Sequence, residues 1–231
     1  MPEIAFTSRM SRAQTIFTLL WLPVHCLLLP LLYAVLYVRG LLVLDDVYAN
    51  LLIYAVSTLV LVLVLWRFFR RDFDALCDRP LSLLLTVVGA YFFCRFAENL
   101  LALVLSAFSI TGTSDNNEAV IEMAKASLGP TTALSVFLAP IAEESIFRGA
   151  IFGSLRRRGR FLAYVVSILS FCLYHVWQSL LTDPQQLLYM LLYVPASFFL
   201  AWVYEQTNSI WSSIFLHMLT NAVSMLAVSA L

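Results

Sequence analysis

The sequence has 231 residues, of which 61% are hydrophobic and only 12% are charged. Soluble domains carry about 25% charged residues, so this composition argues against a water-soluble domain and indicates a protein solvated mainly by lipid. Lys and Arg total 14, and so do Asp and Glu. Because nucleic-acid binding depends on an excess of positive charge, we expect no nucleic-acid partner.

Seven apolar runs are long enough to cross a bilayer, whose core of about 30 Å takes about 20 helical residues. Only helices satisfy all backbone polar groups of such a run inside lipid. The sequence therefore predicts an all-α polytopic membrane bundle that forms a single integral-membrane domain over residues 1–231. The predicted spans are 15–38, 48–66, 81–108, 131–155, 161–181, 186–205 and 210–231.

The loops between these spans differ in positive charge, which predicts their orientation because short cytoplasmic loops are enriched in Lys and Arg. With a cytoplasmic N-terminus, the outer segments carry only Arg39 and Lys125. An odd number of spans then places Leu231 outside. We expect a multi-pass protein of a prokaryotic cytoplasmic membrane. The arginines on the cytoplasmic side are Arg9, Arg12, Arg67, Arg70, Arg71, Arg79, Arg156, Arg157, Arg158 and Arg160.

Five charged residues fall well inside predicted spans, away from the span ends, where charges are costly and usually mark a functional site. Glu144 and Arg148 are four residues apart, so they share a helix face and can form an ion pair. Glu143 points about 100° away from that face, which leaves it free to react. Arg95 and Glu98 are three apart, and we interpret them as a pair that staples one helix.

Two further spans carry polar residues at four-residue spacing. His175 follows Phe171 in the fifth span, and Asn221 follows His217 in the seventh. With a rise of 1.5 Å per residue, Glu143, His175, His217 and Asn221 lie roughly 18, 21, 12 and 18 Å from the cytoplasmic ends of their spans. These side chains are therefore expected to meet in one layer of the bundle.

The three motifs EExxxR, FxxxH and HxxxN, in this order on separate membrane helices, resemble the CPBP or Abi family. That family includes CAAX prenyl proteases of the Ras-converting type and bacteriocin-processing enzymes. The resemblance covers about residues 130–225, which we expect to form the catalytic core. The motif residues are Glu143, Glu144, Arg148, Phe171, His175, His217 and Asn221.

The resemblance implies an all-helical intramembrane endopeptidase that cuts a lipidated or membrane-associated protein or peptide. In it, Glu143 and His175 activate a water molecule, while His217 and Asn221 hold the oxyanion. A carboxylate suits general base catalysis, and an amide N–H suits an oxyanion hole. Supporting roles fall to Glu144, Arg148 and Phe171.

A zinc site is an alternative reading, because one Glu and two His can bind zinc and leave a fourth position open. The sequence lacks HExxH, however, and Asn221 is a better hydrogen-bond donor than zinc ligand. We therefore favour a site without a metal or other cofactor over a zinc site.

Two other functions fit parts of the sequence. A non-proteolytic scaffold or bacteriocin-immunity-type protein could use the same fold to bind a membrane partner, although the intact motifs favour the enzyme. A proton-coupled transporter also uses buried Glu and His, but such proteins commonly contain repeats, and the spans show no duplication.

His25 has no motif around it, and we interpret it as an interhelical hydrogen-bond partner. The acidic segment 109–130 is expected to be solvated or interfacial.

Overall fold

The computed structural model describes residues 6–230, so the predicted outer position of Leu231 lies outside the described residues. The described part is built from helices and contains no strand, which confirms the all-α prediction. Its main helices are α1 (Arg12–Val38), α2 (Asp46–Cys77), α3 (Pro80–Ala107), α4 (Asp115–Ala126), α5 (128–155), α6 (Arg160–Val176), α7 (Gln186–Thr207) and α8 (Ile210–Ser229).

Five of these helices, α1, α2, α3, α7 and α8, are long and apolar enough to cross a membrane. The two remaining predicted spans are helical but differ from the others. Helix α5 carries three charged side chains, and α6 has 17 residues, fewer than the about 20 that a bilayer core requires. By length and composition, five helices are therefore candidate membrane spans. The count of seven spans stays a prediction.

Local sequence signals explain where several helices begin. Ser11 caps α1 by accepting the N–H of Gln14, and Asp45 caps α2 by accepting the N–H of Tyr48. Ser114 does the same for α4. Each cap satisfies an N–H group that has no partner inside its helix. The acidic segment after α3 is thus an ordered helix that starts at a defined residue.

Helix α5 is irregular on both sides of the EExxxR motif. It widens into π-helical turns at Ala133–Leu138 and again at Ser145–Phe152. Pro140 follows the first of these turns, and a proline cannot donate the backbone hydrogen bond of a regular helix. Because π turns occur frequently at functional sites, this geometry singles out the segment that holds Glu143 and Glu144.

One end of the bundle is tied together by two buried carboxylates. Asp72, near the end of α2, accepts the N–H of Ile210 at the start of α8 at 3.0 Å. Glu205, near the end of α7, pairs with Arg156 at 2.6 Å and with Arg160 at 2.9 Å. The segments that carry most of the arginines therefore lie at the same end. We call it the arginine-rich end, formed by residues 9–12, 67–79 and 156–160.

Burial places α5 at the centre of the bundle and α1 at its edge. Residues 142–150 of α5 are all buried, and Phe147 packs against Phe171 of α6 with ring centroids 5.3 Å apart. In α1, by contrast, Leu20 and Leu31 expose 65% and 61% of their surface. The motif residues are thus enclosed by the other helices, while leucines of α1 face the surroundings.

Candidate active site

The four predicted site residues line a single cavity of about 660 Å³. Glu143 comes from α5, His175 from α6, and His217 and Asn221 from α8. Phe171, from the same motif as His175, also lines the cavity. The convergence expected from helix depth is therefore present in the structure.

Glu143 has one oxygen with a partner and one without. Its Oε1 lies 3.4 Å from the hydroxyl of Tyr54. Its Oε2 is buried and has no hydrogen-bond partner among the described residues, although it lies 3.7 Å from Nε2 of His175 and 3.9 Å from Nε2 of His217. These distances are too long for direct hydrogen bonds and are of the kind that one bridging water can span.

The ring of His175 is oriented by the FxxxH motif. Its Nδ1 lies 2.8 Å from the carbonyl oxygen of Phe171, and a carbonyl can only accept, so Nδ1 carries the proton. In a neutral ring, Nε2 then has a free lone pair, and this atom faces Glu143. Phe171 also packs its ring against His175, with ring centroids 4.4 Å apart. The four-residue spacing thus fixes both the position and the tautomer of the histidine.

Glu144 is surrounded by donors. Its Oε1 accepts from Arg148 at 3.0 Å and from Nδ1 of His217 at 2.9 Å. Its Oε2 accepts from the hydroxyl of Ser213 at 2.5 Å. The side chains of Glu144 and Arg148 are fully buried, so the predicted ion pair is confirmed. Glu144 also fixes the ring of His217 on α8, because both oxygens of the carboxylate are held in place.

Arg148 ties this network to α7 and α6. Its Nη2 donates to the carbonyl of Ser197 at 3.1 Å and to the hydroxyl of the same residue at 3.0 Å. Its guanidinium carbon lies 4.2 Å from the ring centroid of Phe171, within the range of a cation–π contact. A planar group with several donors suits such multiple contacts, so Arg148 joins α5, α6 and α7 without reaching the cavity.

Asn221 is positioned by the first wide turn of α5. Its Nδ2 donates to the carbonyl oxygen of Ser135 at 2.7 Å. That bond uses one of the two amide N–H groups of the side chain. Because Asn221 also lines the cavity, it keeps a second donor while the first anchors it.

Two tyrosines that the sequence does not mark connect Glu143 to α1. The hydroxyl of Tyr54, which contacts Glu143, lies 2.7 Å from the hydroxyl of Tyr174, and that group lies 3.1 Å from Nε2 of His25. The prediction that His25 forms an interhelical hydrogen bond is confirmed. Single tyrosines in apolar helices have no distinctive spacing, so nothing in the sequence indicated this series of hydrogen bonds.

Tyr193 of α7 is a further site residue that the sequence did not reveal. Its ring packs against His175 with centroids 4.4 Å apart. Its hydroxyl contacts Ser114 at 2.5 Å and donates to Asn117 at 3.0 Å. The start of α4 is therefore connected to a motif histidine through one aromatic side chain.

Arg95 and Glu98 form the expected ion pair, with a distance of 2.5 Å between nitrogen and oxygen. Both residues also line the cavity, and Glu98 accepts from the thiol of Cys94 at 3.3 Å. The pair is less buried than Glu144 and Arg148, since its side chains are 32% and 22% exposed. It therefore adds charged groups to the cavity wall as well as connecting two turns of α3.

Within residues 6–230, no group of three or more His, Cys, Asp or Glu side chains is placed to hold a metal ion. The zinc alternative therefore finds no fitting donor set there, and we derive no step through a metal. Independence from metals and other cofactors stays a prediction.

Comparisons with known proteins point to one family. The family model described as type II CAAX prenyl endopeptidase Rce1-like matches residues 126–223. The Bacillus subtilis (strain 168) protein named "Putative membrane peptidase YdiL" is 30% identical over 143 residues, which are 61% of this chain and 54% of that protein. This chain thus spans about half of the length of YdiL.

A second relative matches over more of its length. The "UPF0177 protein YxdF" of Lactococcus lactis subsp. lactis (strain IL1403) is 30% identical over 175 residues, which are 71% of this chain and 89% of that protein. No solved structure gives a significant match. Residues 126–223 contain all three motifs, so the resemblance drawn from them is confirmed. The chain belongs to the Rce1-like family.

Proposed function

We propose that this protein is an intramembrane endopeptidase that hydrolyses a peptide bond with a water molecule activated by Glu143 and His175. The observation that carries the proposal is the buried, unpartnered Oε2 of Glu143, which faces Nε2 of His175 and Nε2 of His217 across 3.7 and 3.9 Å. A water that lies to one side of these atoms can donate one hydrogen to the carboxylate and the other to Nε2 of His175. Its lone pair is then free to attack a carbonyl carbon.

In the first step the water oxygen bonds to the scissile carbonyl carbon, and its proton passes to Oε2 of Glu143. The carbonyl oxygen becomes an oxyanion, which the second amide N–H of Asn221 stabilises, with His217 beside it. The carboxylate of Glu144, 2.9 Å from Nδ1 of His217, holds that ring in position. Hydrogen bonds to Ser135 and Glu144 thus already hold the side chains of Asn221 and His217 in position.

In the second step the bond between carbon and nitrogen breaks, and Glu143 returns its proton to the leaving nitrogen. The products are a carboxylic acid and an amine, so one water is consumed and the carboxylate of Glu143 is restored. A single carboxylate that acts first as base and then as acid needs one oxygen without a fixed partner. Oε2 of Glu143 meets that requirement.

The substrate in this proposal is a lipidated or membrane-associated protein or peptide, because the cavity lies within a helical membrane bundle. We place the N-terminus in the cytoplasm, since the arginine-rich end holds the loops with most of the positive charge. Membrane lipid and this substrate are the partners that we expect.

The test is cleavage of a panel of quenched fluorescent peptides, plain and farnesylated, by purified protein in detergent. We expect wild-type protein to cleave at least one peptide in the presence of a zinc chelator. Glu143→Gln should remove this activity, since a neutral amide cannot accept the proton of the water.

A control variant, Glu98→Gln, and the zinc chelator separate this mechanism from its alternatives. Glu98→Gln changes another carboxylate of the cavity wall and should keep activity within about tenfold of wild type, because the pair that it breaks is partly exposed. Cleavage that a chelator abolishes would contradict the metal-free mechanism and support a zinc site. No cleavage of any peptide would contradict the protease and favour the scaffold.

A further inference from the structure

We propose that His25 of α1 is a positioning residue for Glu143. It acts through the hydroxyls of Tyr174 and Tyr54, which direct a hydrogen to Oε1 of the carboxylate and leave Oε2 to accept the proton of the water. This inference rests on the proposed function. It adds a residue that lies outside the segment 126–223 matched by the family model.

His25 points into the bundle from a part of α1 whose other side chains face outward. It exposes 4% of its surface, whereas Leu27 and Leu28 expose 51% and 56%. All three belong to a π-helical turn, Val24–Leu28, that follows Pro23. Such turns occur frequently at functional sites, and α5 has them on both sides of the EExxxR motif. Because burying a polar ring costs free energy unless it is hydrogen-bonded, packing alone does not explain a histidine here.

Three contacts in a row join His25 to Glu143. Nε2 of His25 lies 3.1 Å from the hydroxyl of Tyr174, which lies 2.7 Å from the hydroxyl of Tyr54. The Tyr54 hydroxyl lies 3.4 Å from Oε1 of Glu143. This last distance is long for a hydrogen bond between oxygens, but catalytic hydrogen bonds commonly tighten when the substrate binds. Nδ1 of His25 has no hydrogen-bond partner among residues 6–230, so the ring acts on this series through Nε2.

The direction of these hydrogen bonds follows from their donors. A tyrosine hydroxyl has one hydrogen, so the direction of one bond determines that of the next. A carboxylate only accepts, so Tyr54 donates to Glu143, and its oxygen accepts from Tyr174. The oxygen of Tyr174 then accepts the N–H at Nε2 of His25. If Nε2 instead accepted, Tyr54 would donate to Tyr174 and Glu143 would lose its donor.

This direction gives the two oxygens of Glu143 different tasks. Oε1 accepts from Tyr54, whereas Oε2 has no partner among the described residues and is the better acceptor for the proton of the water. Both tyrosines keep their hydrogens throughout the reaction. A hydrogen bond to the charged form of a group stabilises that form, so an interrupted series should make the base lose activity at higher pH. The other ionisable side chains around this carboxylate are His175, His217, Glu144 and Arg148.

A double-variant cycle tests whether His25 acts through Tyr54. His25→Phe keeps an aromatic ring and removes the N–H, so the cleavage rate should fall by about three- to tenfold, the size of one hydrogen bond. Tyr54→Phe should lower the rate to the same extent. The double variant should stay within about twofold of Tyr54→Phe alone, because both changes interrupt one series. A double variant whose loss equals the product of the two single losses would overturn the proposal, as would a His25→Phe enzyme with the wild-type rate.

The pH dependence of the rate separates positioning from a structural role. In His25→Phe the acidic limb of the profile should move to higher pH by about 0.5–1 pH unit. A loss of folded protein would lower the whole profile and leave this limb in place, which would contradict the proposal. His25→Gln places an amide nitrogen near the position of Nε2 and should restore both the rate and the limb. Tyr33→Phe, on the same helix but bonded to Leu44, should match wild type.

Two further measurements cover the cases in which these variants give no kinetics. If His25→Phe does not fold, Tyr174→Phe interrupts the same series and should show the same limb and the same lack of additivity with Tyr54→Phe. If wild-type protein cleaves no peptide, the proposed function fails, and an infrared titration of the Glu143 carboxyl band still tests the positioning. Glu143→Gln identifies that band by removing it. Its midpoint should lie at higher pH in His25→Phe than in wild type, and equal midpoints would overturn the inference.

Discussion

Glu143 and Glu144 are neighbours in the chain with the same functional group, yet they occupy opposite environments. Glu144 accepts from Arg148, His217 and Ser213 and is fully buried. Glu143 lines a cavity and has one oxygen without a partner. A carboxylate with its charge fully compensated stabilises a structure, whereas a carboxylate with an unused acceptor can take a proton. Because consecutive side chains of a helix point about 100° apart, Glu144 faces its buried partners while Glu143 faces the cavity.

The largest effect is expected from Glu143→Gln. The amide keeps the shape of the side chain but loses the ability to accept a proton from water, so the cleavage rate should fall by about 10⁴-fold, the upper range for general base catalysis. The thermal unfolding temperature should stay close to that of wild type, since Oε2 of Glu143 has no hydrogen-bond partner among the described residues. Retained activity would contradict the assignment of the base.

Glu144→Gln should mainly reduce stability. It leaves Arg148 as a buried charge without its anionic partner, and breaking such a pair costs about 3–5 kcal/mol. Thermal unfolding in detergent measures the loss. Glu98→Gln is the matched control, because its partly exposed pair is worth about 1 kcal/mol or less. Equal unfolding temperatures for Glu144→Gln and Glu98→Gln would contradict the structural role that we assign to Glu144.

Asn221→Ala tests the oxyanion side of the site. Removal of one oxyanion donor costs about 10²–10³-fold in kcat, with little change in KM, because the donor acts on charge that develops in the transition state. Steady-state kinetics on the best peptide of the panel measures both constants. A rise in KM at unchanged kcat would instead assign Asn221 to substrate binding.

The smallest effect is expected from Tyr54→Phe, which removes the hydroxyl near Oε1 of Glu143. One hydrogen bond is worth about 0.5–1.5 kcal/mol, so the rate should fall by about tenfold or less. Tyr33→Phe is the control, since its hydroxyl donates to the carbonyl of Leu44 at a site away from the cavity. An equal loss in the two variants would show that Tyr54 acts through stability rather than through Glu143.

Much of the site could be predicted because its spacing is a property of single helices. Residues four apart share a face, so the pairs Glu144 with Arg148 and Phe171 with His175 follow from the α-helical period. Helix depth was enough to predict that three helices bring their polar groups to one layer. The ion pair and the shared cavity agree with these expectations.

What could not be predicted depends on how helices are rotated against each other. The contact between Glu144 and His217, and the chain from Tyr54 through Tyr174 to His25, join helices distant in sequence. No spacing within one helix encodes such contacts. The span count was uncertain for a related reason, since α5 is stabilised by buried partners rather than by an uninterrupted apolar surface.

The most direct test of the account is to measure cleavage and thermal unfolding on the same preparations of wild type, Glu143→Gln and Glu144→Gln. The account predicts that Glu143→Gln unfolds at the wild-type temperature and cleaves no peptide, while Glu144→Gln unfolds at a clearly lower temperature. A Glu143→Gln protein that cleaves at the wild-type rate would contradict the proposal that this residue activates the attacking water.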